Sequence, residues 1–277
     1  MADLAFTLDL DRYLPALGLE RPPTPSLASL AELQRRHNAR FPFETITTLL
    51  REPVMIEPAT VQRKLLDEGR GGYCYELNGA FLRLLQGLGF SARAIAARVL
   101  MGATDDTPAA RTHMLALVTI EGVEYIADTG FGGMTPTGPL RLDRRTAQRT
   151  PHEDFRLDVQ GDAYTLLAEV AGEWRPMYRF DLQVQESIDH VVGNWYVCTH
   201  PDSSFPGQLR AALSGPGWRR TLGNGSFAIH RAGQPSERRE LTGVDDVLRV
   251  LEQEFGIRVP PHPGLREALA IWLTARR

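Results

Sequence analysis

Near Ser91 the apolar residues of this 277-residue chain change their spacing, and that change limits the fold more than any single motif does. Ahead of it, Leu77, Phe81, Leu84, Leu85 and Leu88 recur three and four residues apart, the repeat of one helix face. Beyond it, "ARAIAARVL", "HMLALVTI", "VEYIAD", "FRLDVQ", "AYTLLAEV" and "EWRPMYRFDL" are short runs separated by turn residues, as in strands of a sheet. Helices followed by strands predict an α+β protein with an antiparallel sheet or small barrel, not a βαβ-wound one. Punctuation supports the helices. Ser29 and Glu32 have capping-box spacing before "LAELQRRHNARF", Pro58 and Gly69 bracket another helix, and Gly87 or Gly89 can close the one after Cys74. Asn224-Gly225 predicts a hairpin, Thr242 and Asp245 open a late helix, and "LREALAIWLTAR" forms a last one.

A chain of this length exceeds what one core usually serves, so two or three subdomains sharing a single body are expected. The residues are 43% hydrophobic and 23% charged, which is ordinary for a globular protein. A formal net charge of -3, with no basic run, excludes nucleic acid and anionic membranes as expected partners. No apolar run reaches the roughly 18 residues of a membrane span, and "MADLAFTLDLDRYL" lacks a basic segment ahead of an apolar core, so a cytoplasmic protein is expected. Cys74 and Cys198 are the only cysteines and lie in different contexts, which favours free thiols. "CTH" at Cys198 to His200 offers one ligand pair without a second at zinc spacing, so no metal is expected.

The cysteine that carries information is Cys74, in "RGGYCYELNG". At the first turn of a helix a thiol meets unpaired backbone N–H groups and the positive end of the helix dipole, which favour the reactive thiolate. Two preceding glycines permit a tight turn and a close approach of backbone to whatever the sulfur attacks. A buried helical cysteine also reads as inert packing, and Cys74 alone does not decide between the two. A thiol nucleophile requires a base and a group that orients the base. "HMLALVTI" begins with His113, Glu121-Gly122 is a plausible two-residue turn, and "VEYIADTGFGG" returns with Asp128 near its end. If Ile120 faces Val123, Asp128 faces Leu115 and Gly130 faces His113. His113 and Asp128 then share a face as diagonal neighbours, roughly 7 to 8 Å apart at Cα, which an imidazole and a carboxylate can span. The relation holds for an even-numbered turn and fails for an odd one. Taken separately, His113 also reads as a strand-edge residue and Asp128 as a turn former. "TGFGG" lacks the lysine and helix of a phosphate loop.

With these residues assembled, the chain resembles the arylamine N-acetyltransferase family. "RGGYCYELNG", "RTHMLALV" and "DTGFGG" look like its nucleophile, histidine and aspartate segments, in the same order. "LQRRHNARFPFETI" and "NWYVCTHPDSSF" are similar to flanking segments, so the likeness covers most of residues 10 to 206. The resemblance implies an N-terminal helical bundle over 1–90 carrying the nucleophile, a central antiparallel β-barrel over 91–200 carrying His and Asp, and a C-terminal α/β lid over 201–277. It implies a cysteine-protease-like Cys-His-Asp core in which Cys74 accepts the acetyl group, His113 is the base and Asp128 its orienter. Thr45 in "PFETI" and Thr129 in "DTG" depart from the family's usual Asn and apolar residue, which bears on amine preference.

What the family implies is ping-pong transfer: Cys74 attacks the acetyl-CoA thioester, CoA departs, and an aromatic amine or hydrazine takes the acetyl group from sulfur. Acetyl-CoA is then a co-substrate, with no tightly bound cofactor. The resemblance further implies an Arg70–Glu44 ion pair supporting the site, with Glu76 and Asn78 in similar roles. Phe43, Phe131 and Phe205 are candidates for an aromatic slot, and Thr112, Gly130 and Gly132 for backbone contact with CoA. A cysteine hydrolase uses the same triad, and an amide synthase closing a macrolactam from a carrier-bound thioester resembles the same family, so both stand as alternatives. Either a monomer or a homodimer is expected.

Overall fold

A computed structural model describes residues 8–102 and 110–275; the opening "MADLAFT" and the last two arginines lie outside them. Its helices are α1 (Leu10–Ala16), α2 (Leu27–Arg40), α3 (Ile46–Leu49), α4 (Pro58–Leu66), α5 (Cys74–Gly87), α6 (Ser187–Thr199), α7 (Val244–Gln253) and α8 (Leu265–Thr274). The strands are β1 (Phe43–Glu44), β2 (Ser91–Val99), β3 (Arg111–Ile120), β4 (Val123–Ala127), β5 (Leu140–Arg141), β6 (Gln148–Arg149), β7 (Asp154–Gln160), β8 (Ala163–Val170), β9 (Glu173–Phe180), β10 (Ala211–Gly215), β11 (Trp218–Gly223), β12 (Ser226–Arg231) and β13 (Glu237–Glu240). The fold is α+β, and the change of period falls where β2 begins.

Strands β2 to β9 form one antiparallel sheet, ordered β5-β4-β3-β2-β9-β8-β7-β6, that curls into a nearly closed barrel. The gap between its edges is spanned by the Gln148 side chain, whose amide accepts from the Arg141 N–H at 2.8 Å and donates to the Arg141 carbonyl at 2.9 Å, as a strand partner would. Alternation sorts the residues of β3. Leu115 and Leu117 point into the barrel with Phe155, Leu157, Leu166 and Tyr178. Ala116 and Val118 face outward onto Leu77, Phe81, Leu84 and Leu85 of α5, in a second core shared with α1, α2 and α4.

The turn between β3 and β4 is the two-residue one expected. Ile120 pairs with Val123, and Glu121 and Gly122 take φ of 51° and 78°, the left-handed pair of a type I′ turn. The Asn224-Gly225 hairpin repeats this geometry between β11 and β12. α5 closes at Gly89, with φ 85° and the double bond pattern Phe90 to Leu85 and Gly89 to Gln86 of a Schellman end.

Two helix starts differ from expectation. α2 is capped by Ser26, whose hydroxyl bonds the Ser29 N–H, so Ser29 lies inside the helix and Glu32 pairs with Arg36. α7 begins after Gly243, one residue beyond Thr242. α6, over "SIDHVVGNWYVCT", has no counterpart among the helices expected from the sequence.

A second sheet, β1-β10-β11-β12-β13, begins with a strand from the N-terminal region: Phe43 pairs with Ala212 and Glu44 with Ala211. Ile46 and Leu49 share its core with Leu222, Phe227, Val247, Val250, Leu251 and Trp272. No helix among the described residues is long and apolar enough to cross a membrane.

Candidate active site

Cys74 is the first residue of α5 and is 5% exposed. The glycine pair before it serves close packing, not the expected turn. A Cβ on Gly71 would lie 1.9 Å from the Pro42 carbonyl oxygen, and one on Gly72 would lie 2.7 Å from Cβ of Glu76. Neither has left-handed φ. What they allow is contact with the strand that follows α2: Gly72 donates to the Pro42 carbonyl at 3.2 Å and accepts from the Glu44 N–H at 3.0 Å.

The barrel meets Cys74 at the open end of β3. Ala97 pairs with His113 but Arg98 pairs with Arg111, so Thr112 is an extra residue, a bulge opposite Ala97 and Arg98. Its carbonyl oxygen lies 3.6 Å from the Cys74 sulfur. His113 continues the inward face of β3 and touches Phe131 and Tyr178, each with its ring centroid 5.1 Å away. Nε2 of His113 stands 2.7 Å from Oδ2 of Asp128, leaving the other ring nitrogen for the sulfur side. His113 and Asp128 are 2% and 1% exposed.

Oδ1 of Asp128 accepts from Nδ2 of Asn78 and from the Gly130 N–H, each at 2.9 Å. Asn78 lies one turn after Cys74. It also donates to the Met114 carbonyl at 2.6 Å and accepts from the Thr129 N–H at 2.8 Å, joining α5, β3 and the aspartate loop through one side chain.

These contacts fix the charges. Burial alone would drive the His113 ring neutral; the Asp128 carboxylate, with hydrogen bonds to Asp128 and Cys74, overcomes it and pushes the ring up to about 10. Burial would likewise raise the Asp128 carboxyl. The facing His113 charge and the donors from His113, Asn78 and Gly130 outweigh that and hold it below its usual range. Burial, and then the Asp128 charge, keep the Tyr178 phenol neutral. At neutral pH the pair is therefore imidazolium and carboxylate, with the Cys74 sulfur on the other side of the ring.

The expected supports converge beneath α5. Nη2 and Nε of Arg70 reach Oε1 of Glu44 at 2.7 and 2.9 Å. The other oxygen of Glu44 accepts from the Ile46 N–H at 2.6 Å. Glu76 accepts from the Tyr73 N–H at 2.9 Å, capping α5. Lys64, which sequence reasoning missed, joins the two acids at 2.6 Å from Glu76 and 3.6 Å from Glu44. Burial would raise both carboxyls; at Glu44 the charges of Arg70 and Lys64 and the bonds from Ile46 and Arg70 outweigh it and leave the group below its usual pKa, whereas at Glu76 burial prevails and leaves it above.

The three phenylalanines lie around Cys74 and His113 without forming one wall. Phe131 lies against His113 in the barrel, while Phe43 and Phe205 pack on the cluster of Tyr73, Cys74, Tyr75, Met114 and Cys198. Gly130 is buried against Cys74, where a Cβ would sit 2.8 Å from the Cys74 Cα. Gly132, with φ 84°, backs onto the Phe43 ring and lines a crevice of about 10 Å³ with it, room for one water. The roomy space lies on the Thr112 side. A cleft of about 600 Å³ runs past Thr112 and Tyr75 between the ends of β2 and β3 and the helix α6.

The departures from pattern have local reasons. The Thr45 hydroxyl donates to the Gln208 carbonyl and accepts from the Arg210 N–H, both near 2.9 Å, and the Thr129 hydroxyl bonds Asn78. Arg219 of β11, buried and also missed, donates to the carbonyls of Gly133 and Thr135 and pairs with Glu153. Among the described residues no group of three or more His, Cys, Asp or Glu is placed to hold a metal.

Comparison with known proteins shows the family. Residues 26–263 match the N-acetyltransferase family. The arylamine N-acetyltransferase of Mycolicibacterium smegmatis is 39% identical over 254 residues, 90% of this chain and 92% of that one. A solved structure of the M. smegmatis arylamine N-acetyltransferase superposes with a TM-score of 0.91, at 38% identity, over 96% of this chain and 98% of that one. The Mycobacterium marinum arylamine N-acetyltransferase solved in complex with CoA gives 0.87, at 38% identity, over 97% and 98%. Likeness of this extent in both sequence and fold, around a Cys-His-Asp line at the mouth of a barrel, makes the chain a member of the arylamine N-acetyltransferase family.

Proposed function

We propose that this protein transfers an acetyl group from acetyl-CoA to aromatic amines or hydrazines, through an acetyl-cysteine at Cys74. The observation that carries the reading is the alignment of a cysteine at a helix N-terminus with a buried His113 ring whose Nε2 is bonded to the Asp128 carboxylate at 2.7 Å. A thiolate paired with imidazolium attacks the thioester carbonyl, a new S–C bond forms at Cys74, and the CoA sulfur leaves, taking a proton from His113. Neutral His113 is then the base that accepts a proton as the amine attacks the acetyl-cysteine. Aromatic amines suit the second step because they are largely uncharged at pH 7 and keep a free lone pair. The relative solved with CoA supports the donor's identity. The cleft beside Thr112, the only predicted CoA contact that lines it, is the proposed passage for the pantetheine arm. The roles of Phe43, Phe131 and Phe205 as an aromatic slot and of Gly130 and Gly132 toward CoA remain part of this proposal.

The test is the intact mass of the protein mixed with acetyl-CoA and no amine. One acetyl group on Cys74 is expected, discharged on adding an arylamine, and absent from Cys74→Ala. Rapid loss of the acetyl group to water with no amine present would instead mark a hydrolase. Labelling anywhere else removes the nucleophile assignment.

A further inference from the structure

Helix α2 sends two primary amides into the interior, on the face where Leu30, Leu33 and His37 are buried. Gln34 is fully buried and Asn38 is 6% exposed. Nε2 of Gln34 donates both to the main-chain carbonyl of Asp128, at 3.1 Å, and to that of Pro136, at 2.8 Å. Nδ2 of Asn38 donates to the Pro136 carbonyl alone, at 3.1 Å. An amide facing two carbonyls can meet them only with its NH2 end, so the orientation is fixed by its partners. One NH2 thus ties the two ends of the loop that runs from Asp128 to Pro136.

The tie matters because of where the β-ladder stops. Ala116 and Ala127 are the last pair between β3 and β4, and β5 pairs with β4 no further than Ile126, so the Asp128 carbonyl lies beyond both ladders. A buried carbonyl must find a donor, and a buried amide is costly without acceptors. Gln34, 94 residues away in sequence, satisfies both needs. On the other side of the same residue, the carboxylate stands against His113.

We propose that Gln34 is a positioning residue for acyl transfer, one that anchors the main chain of Asp128 so that its carboxylate stays on Nε2 of His113. The inference rests on the reading of Asp128 and His113 as the working pair. The titratable groups facing the ring are Asp128 from the loop, Cys74 from α5 and the neutral phenol of Tyr178 from β9. Asp128 contributes most to keeping the ring protonated, so displacing it acts on the histidine directly.

The experiment compares full-length wild type with Gln34→Met, which keeps the length but has no donor, and with Asn38→Ala, which loses only the bond to Pro136. Two readouts are taken: the His113 titration midpoint by NMR of nitrogen-15-labelled histidine, and the rate at which iodoacetamide alkylates Cys74 at pH 7. In Gln34→Met the midpoint is expected to fall by at least about one pH unit and alkylation to slow about tenfold. Asn38→Ala is expected to lower thermal stability while moving neither. Alkylation needs no acyl donor, so the result stands or falls separately from acetyl transfer. An unmoved midpoint in Gln34→Met, or an equal shift in Asn38→Ala, overturns the proposal. Should Gln34→Met fail to fold, Gln34→Glu, whose protonated carboxyl donates one bond at most, is held to the same limits.

Discussion

Replacing Asp128 by Asn exchanges one oxygen for an NH2 group and removes the charge that keeps a proton on His113. The sign follows from the opposing effects on the ring. A ring raised to about 10 contributes stability that is complete below its ordinary 6.5 and is lost as pH climbs through 10. Without the carboxylate, burial dominates and leaves the ring neutral at pH 7. Asp128→Asn should therefore reduce kcat about 10⁴-fold, as the same change does in a Ser-His-Asp protease, and should abolish the alkaline loss of stability. Urea melts from pH 7 to 10.5 check the second point; an unchanged slope would mean that His113 is not the group titrating. Gly130 gives a steric counterpart. A Cβ there meets Cys74 Cα at 2.8 Å and Asn78 Nδ2 at 2.9 Å, atoms with little room to yield. Gly130→Ala should cost about 1 to 3 kcal/mol in stability. It should also lower turnover by roughly 10²-fold in protein that remains folded, because a displacement near 1 Å suffices for that.

At the scale of elements, the start of α5 is held by two acids and two bases rather than by a short capping side chain. Glu44 is the hinge of this set, since it alone joins Arg70 to the chain at Ile46. Glu44→Gln leaves the buried Arg70 guanidinium without its counter-charge and should destabilise by about 3 to 5 kcal/mol, measured by denaturant melts at pH 7. Because the folded carboxyl of Glu44 lies below its ordinary value, its contribution is present above pH 4.5 and fades as pH falls below that, so wild type and variant should converge in acid. A gap that persisted at low pH would assign the loss to packing. How much of this was legible from sequence depends on the range of the interaction. The β3–β4 turn was readable because Glu121-Gly122 fixes φ locally, and the register then carried His113 and Asp128 to one face. The Thr112 bulge was not, because it arises from the neighbouring strand. Ser29 looked like a cap because Ser26, three residues earlier, is an equally good one. α6 escaped because its apolar residues Ile188, Val191, Val192 and Trp195 are exposed, so no buried stripe announced it. Lys64 and Arg219 were invisible because their partners are distant in the chain.

For the whole molecule, the order of the chain and the order of its cores do not coincide. The last quarter begins after α6, yet its sheet takes β1 from the segment before the nucleophile, and its core includes Ile46 and Leu49. Further ties run the same way. The Arg258 N–H bonds the Gly69 carbonyl at 2.9 Å, just ahead of the glycine pair, and Arg219 grips the loop that carries Asp128. A chain ended at residue 200 would keep Cys74, His113 and Asp128 while leaving β1 without its partner β10 and two core side chains uncovered. Burying a side chain of that size is worth about 1.5 to 3 kcal/mol, and total stability is only about 5 to 15 kcal/mol, so these losses alone take up much of the margin. The truncated protein should lose a single cooperative thermal transition and should not acetylate at Cys74, although every residue of the proposed triad remains. If it instead melts sharply and takes up one acetyl group, the C-terminal sheet is a separable cover and the support it gives the aspartate loop is dispensable. Restoring residues 201–277 as a separate chain separates the two outcomes further, since a shared core predicts that activity returns only in proportion to reassembly.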